Sequence, residues 1–115
     1  MQRVVGTFRR YADAVTLIIA TAVAYLSLVP QENVPSAPGG DKFHHFVAYA
    51  ALTFPISFAK THSRLAIFVF AACFGGLIEL LQPFASRHCD WHDFGANTAG
   101  SCIGIAVGYA ASLVF

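Results

Sequence analysis

From Leu65 to Ile78 the chain carries no charged, amide or hydroxyl side chain. A run of that length can lie inside a large globular core or inside a lipid bilayer, and little else accommodates it. A 115-residue chain has no large core to offer, because a small domain leaves much of its surface exposed. Seven Lys/Arg and six Asp/Glu, 11% charged residues in all, fall far short of the roughly 25% typical of soluble domains. Hydrophobic residues reach 57% and the mean hydropathy is +0.61. The solvent for most of this chain is lipid. The net charge of +1 says nothing useful about nucleic acid, but there is no basic face to bind it, and no nucleic-acid partner is expected.

Three further apolar runs flank or follow the first. Ala14 to Val29, extended by Tyr11 and Ala12 and stopped by Pro30, follows a basic start with Arg3, Arg9 and Arg10. A secretory signal is an alternative reading of that start, since Ala22-Val23-Ala24 imitates a cleavage site, but the apolar run continues past it. Phe43 to Ala59 forms the second run, Leu65 to Phe84 the third and Phe94 to Phe115 the fourth. The expected fold is all-α, an integral membrane four-helix bundle in a single domain over 1–115, with helices at about 12–29, 43–59, 65–84 and 94–115. Pro35, Pro38, Gly39 and Gly40 mark the first connection as a loop. Lys60 to Arg64 is a tight basic turn, and the third connection, through Asp93, is a short polar link.

In the fourth run Ala96, Gly100, Gly104, Gly108 and Ser112 recur every four residues. They make a stripe of small side chains along one helix face, which lets a second backbone approach closely where lipid gives helices no hydrophobic drive to associate. Gly75 and Gly76 are its expected counterpart on the third helix, and the Gly100/Gly104/Gly108 stripe could serve the bundle or a homo-oligomer. Cys73 and Cys102 fall inside apolar runs and Cys89 in the polar link, so no disulfide framework is expected.

Lys and Arg alternate along the connections. Arg3, Arg9 and Arg10 precede the first run and Lys60 and Arg64 fill the second turn, whereas the other two connections hold only Lys42 and Arg87, each beside acids. The positive-inside rule then puts both termini in the cytoplasm of a bacterial cell with the inner membrane as host, and the first loop and third link outside.

That orientation gathers the remaining polar residues on one membrane face. Asp41, His45 and Tyr49 are four apart, Glu79 and Gln82 three apart, and Asp90, Asp93 and Asn97 three and four apart, so each set shares a helix face. Glu79 lies about 7 Å inside Phe84 at 1.5 Å per residue, and an ionisable group at such depth marks a functional site by default. Glu79, Asp93 and His45 are the candidate catalytic residues. Asp41, Lys42, Tyr49, Gln82, Arg87, Asp90 and Asn97 are candidate ligand-binding residues, with Lys42 and Arg87 suited to a phosphate or carboxylate. The competing reading is an interhelical polar clamp without chemistry. His62 reads as a solvated turn residue, and Trp91 and Phe94 as an interfacial aromatic belt. His88 and His92 are four apart, a spacing used by helical metal sites, but a lone pair in a link is weak. No metal or cofactor is expected.

The same residues resemble the VanZ-like membrane proteins. Asp41-Lys42-Phe43-His44-His45-Phe46-Val47-Ala48-Tyr49 is similar to that family's Asp-Lys-x-x-His-x-x-x-Tyr. Glu79, Gln82, Arg87, Asp90, Asp93, Asn97 and Gly100, at their spacings, are similar to its second motif; His44, His88 and His92 are outside the pattern. The resemblance implies a polytopic membrane protein of the cell envelope, whose family namesake is linked to teicoplanin resistance. It supports an outward-facing pocket that acts on or binds an envelope lipid or cell-wall-related ligand. The alternative is a non-catalytic head-group-binding or structural protein. Four short helices without broken midplane segments argue against a monomeric transporter.

Overall fold

The computed structural model describes residues 2–29, 40–85 and 91–115, without the side chains of Asp41 and Ala85. Within them the chain forms four helices and no strand: α1 (Gln2–Leu28), α2 (Asp41–Ala59), α3 (Arg64–Leu81) and α4 (Trp91–Val114). A 3-10 turn, Gln82–Ala85, extends α3, placed where Pro83 withholds the backbone N–H that another α-turn would use. The bundle measures 45 × 24 × 22 Å, long enough to exceed the roughly 30 Å hydrocarbon core of a bilayer.

The helix ends differ from expectation in ways that packing explains. α1 begins at Gln2 and so includes the basic start. Its first turns do not stand free: Phe8 meets the Phe58 ring edge-on at 5.4 Å, and the Arg9 guanidinium sits 5.5 Å from the same ring. α4 begins at Trp91, so Trp91, His92 and Asp93 belong to its first turn and not to the polar link. Ser63 caps α3 by accepting a hydrogen bond from Ala66 N at 3.1 Å.

The interior mixes apolar residues such as Leu52, Ile56 and Ile67 with many polar ones, and the outside is largely apolar. Thr16, Thr53, Ser57, Glu79, Gln82, Asp93, Asn97, Ser101 and Ser112 are buried, while Leu17, Ile18, Leu65, Leu77, Leu80, Leu113 and Val114 face outward. Lipid as solvent accounts for the apolar exterior. α1, residues 64–84 and α4 are each long and apolar enough to cross a membrane. α2 is not among the described helices that meet this criterion. It touches all three other helices, and from Leu52 to Ala59 nearly every residue is buried. α2 is the helix the others wrap, which is how it carries polar side chains that lipid would reject.

Its tightest partner is α4, and the small-residue stripe is why. The two helices run parallel, with Gly100 against Phe46, Gly104 against Ala50 and Gly108 against Phe54. A Cβ on Gly104 would fall within 2.9 Å of Ala50 Cα, and one on Gly108 2.8 Å from Phe54 O. Close approach lets hydroxyls reach across: Thr53 Oγ1 donates to Ser101 O at 3.2 Å and Ser57 Oγ to Ile105 O at 2.7 Å. On the other side of α2, Thr16 Oγ1 donates to Leu52 O at 3.1 Å, tying in α1. Such bonds contribute about 0.6 kcal/mol each in membrane bundles, so they fix register more than they supply stability.

Candidate functional site

Where α2 and α4 begin and α3 ends, the buried polar groups converge. Lys42, His45 and Tyr49 project from one face of α2, three and four residues apart. Asp93 lies in the first turn of α4, where the helix dipole favours an acid, and Asn97 follows one turn later. Glu79 enters from the last turn of α3 and is 0% exposed.

His45 organises the contacts. Its Nδ1 lies 2.8 Å from Asn97 Oδ1. An amide oxygen only accepts, so with Asn97 in this orientation the contact is a hydrogen bond in the ring forms that carry a proton on Nδ1. His45 Nε2 is thereby turned toward Asp93 Oδ2 at 3.6 Å. Lys42 Nζ approaches the other Asp93 oxygen at 3.4 Å while its side chain stays 55% exposed. One ligating atom from each of His45, Glu79 and Asp93 falls within 4.8 Å of the other two.

The wall behind this trio is tight. Gly75 opposes Tyr49 and Asn97, and a Cβ there would sit 3.3 Å from Tyr49 Cε2 and from Asn97 Nδ2. The Tyr49 ring packs on Phe74 at 6.0 Å. Gln82 turns toward α1, donating from Nε2 to Ser27 O at 3.2 Å, so it closes the bundle end instead of sharing the Glu79 contacts. Three buried atoms here, Tyr49 OH, Asn97 Nδ2 and Gln82 Oε1, have no hydrogen-bond partner among the described residues. A buried polar atom without a partner costs about 1–3 kcal/mol, so Tyr49 OH and Asn97 Nδ2, the two beside the trio, point to something further that they contact.

Of the sequence candidates, His45, Tyr49, Glu79, Asp93 and Asn97 come together, with Lys42 at the rim and Gln82 behind. Arg87, Asp90 and the Asp41 side chain lie outside the described residues, as do His88 and Cys89. His44 is beside the Phe43 ring, and His92 is exposed.

One pairing escaped the sequence reading. At the opposite end of the bundle His62 Nε2 lies 3.2 Å from both Asp13 oxygens, and Thr61 Oγ1 is 3.5 Å from one of them. His62 is therefore a paired residue and not a merely solvated one. Asp13, an acid at the edge of the first apolar run, was the available signal. The pair borders a cleft of about 290 Å³ lined mainly by Thr16, Leu17, Ile56, Ile67 and Phe70.

Fold and site together define a polytopic helical membrane protein with an ionisable cluster buried at one end. Residues 4–113 match the profile of the VanZ/LLP1 family, and the chain belongs to that family. No curated protein and no solved structure matches it.

Proposed function

We propose that this VanZ/LLP1 protein binds the polar head group of an envelope lipid, or of a lipid-linked cell-wall precursor, at the cluster formed by α2, α3 and α4. The observation that carries the reading is the position of the cluster. His45, Glu79 and Asp93 are withdrawn from water, yet Lys42, in contact with Asp93, reaches outward. A head group entering from the bilayer surface would offer phosphate to Lys42 and Arg87, and hydroxyl or ammonium donors to the two carboxylates. In the orientation favoured by Arg3, Arg9, Arg10, Lys60 and Arg64, both termini are cytoplasmic and the site opens on the outer face of a bacterial inner membrane. His45, Glu79 and Asp93 could also move protons on such a ligand.

The test is lipid retention. Purified protein in nanodiscs made from total envelope lipid is analysed by native mass spectrometry, beside Lys42→Ala and Asp93→Asn. The expected result is one lipid class enriched on wild type and lost from both variants. Identical lipid profiles for all three proteins refute the reading.

A second reading has its own support. Lys42–Asp93 and His45–Asn97 both join α2 to α4, as a clamp without a ligand would. Thermal unfolding in detergent separates the two. A clamp requires Glu79→Gln and Asp93→Asn to unfold well below wild type. Charges kept for a ligand are held at a cost to stability, and the head-group reading therefore expects Glu79→Gln at least as stable as wild type.

A further inference from the structure

We infer that His45, Glu79 and Asp93 form a binding site for a divalent transition-metal ion, with Asn97 as the outer-shell partner that orients the histidine. Three observations carry this. The ligand set is one imidazole and two carboxylates, from three different helices, converging within 4.8 Å. Ions of this class hold nitrogen and oxygen ligands at about 2.0–2.2 Å, which places neighbouring ligand atoms about 3–4 Å apart. The His45 Nε2 to Asp93 Oδ2 separation of 3.6 Å already lies in that window, and Glu79 needs to approach by only about 1 Å, within the range of a side-chain adjustment.

The second observation is the tautomer. Donation from Nδ1–H to Asn97 Oδ1 at 2.8 Å leaves Nε2 as the nitrogen that faces both acids. In the neutral ring with the proton on Nδ1, Nε2 presents its lone pair on the side of the two acids, where an ion held by all three side chains would sit. Metal-bound histidines commonly donate their other N–H to an oxygen acceptor in this manner. The third observation is the unpartnered polar side chains around the trio. Tyr49 and Asn97 are at most 2% exposed, both border Gly75, and keep Tyr49 OH and Asn97 Nδ2 without hydrogen-bond partners among the described residues. A hydrated ion brings water ligands that such groups can bond.

Imidazole with carboxylate suits zinc, manganese or iron better than calcium or magnesium. The inference deepens the head-group reading at one point and rests on it only there. A bound dication beside Lys42 would add to the positive charge that a phosphate meets there.

The experiment is titration of Co²⁺ into lipid-free protein in detergent, followed by its visible d–d bands and by pulsed electron paramagnetic resonance on the Mn²⁺ form. One ion per chain with a histidine nitrogen as ligand is expected, displaced by Zn²⁺. Glu79→Gln and His45→Gln should abolish the signal, Asn97→Leu weaken binding about tenfold or more, and Asn97→Asp retain it, since a carboxylate still accepts from Nδ1–H. His44→Gln and His92→Gln should bind as wild type. Absence of saturable binding to wild type overturns the inference. So does a signal that survives Glu79→Gln or vanishes with His92→Gln, the sign of an adventitious ion only. Should a site variant fail to fold, the wild-type stoichiometry and nitrogen ligation, with the two control histidine variants, still decide. Because no lipid is present, failure here leaves the nanodisc result standing, and loss of lipid retention leaves the titration standing.

Discussion

Gly104→Ala places a methyl group where α2 and α4 leave no room for one. The new carbon would stand within 2.9 Å of Ala50 Cα and still nearer Ala50 O and Thr53 Oγ1, against the 3.5–4.0 Å that carbon contacts prefer. Backbone atoms cannot swing aside, so the helices must part by about 1 Å. At that separation the 2.7 Å bond from Ser57 to Ile105 O stretches beyond hydrogen-bonding range, as does the 3.2 Å bond from Thr53 to Ser101 O. Two such bonds contribute about 1 kcal/mol together. Overpacking adds about 1–3 kcal/mol, and the better helix propensity of alanine returns about 1 kcal/mol. The net expectation is destabilisation by about 2 kcal/mol. Gly95→Ala is the internal control, because nothing lies within 4 Å of its added carbon. It should stabilise by up to about 1 kcal/mol, which opens a gap of about 3 kcal/mol between two chemically identical substitutions on one helix. Reversible unfolding in mixed detergent micelles measures both. Equal stabilities, or a more stable Gly104→Ala, would refute the claim that the stripe sets the α2–α4 spacing.

Two smaller substitutions test other parts of the scaffold. Thr16→Val keeps the side-chain shape but removes the bond to Leu52 O, so unfolding should show a loss of about 0.6 kcal/mol and no change in helical content. Lys60 ends α2 with φ 59°, the one non-glycine residue in the left-handed region among those described. Lys60→Gly should raise the unfolding midpoint, by up to about 1 kcal/mol in stability, and a drop would mean that the lysine side chain holds the turn.

The helix count and the face on which the polar residues gather were legible because lipid imposes simple rules on length, breakers and charge. The stripe was legible for the same reason, although its occupant was not: spacing alone does not say which helix fills it, and here Gly100, Gly104 and Gly108 seat α2. What sequence could not give was anything decided by a contact between distant segments. α1 starts early because Phe8 and Arg9 lie on Phe58, fifty residues away. α2 stays polar because other helices cover it. His45, Glu79 and Asp93 could be named from depth and membrane face, but that one ligating atom of each lies within 4.8 Å of the others is set by the packing of three helices and has no local period.

The scaffold and the site also share one contact, and that makes their coupling testable. Gly100 packs on the backbone of Phe46, the neighbour of His45, and lies one turn beyond Asn97 on α4. A methyl group on Gly100 would fall 2.9 Å from the Phe46 carbonyl carbon and force α2 away at the level where His45 Nδ1 meets Asn97 Oδ1. A displacement of about 1 Å there breaks a 2.8 Å bond and frees the imidazole to rotate. Gly108 clashes with α2 as well, but it is eleven residues past Asn97, about 16 Å along the helix at 1.5 Å per residue. Gly100→Ala and Gly108→Ala should therefore both lower stability, yet only Gly100→Ala should disturb the His45 ring resonances in a ¹⁵N-histidine spectrum. Similar shifts in both variants would mean that the parallel pair moves as a rigid unit. Disturbance by neither would mean that the site is held by α3 and not by the close approach of α2 to α4.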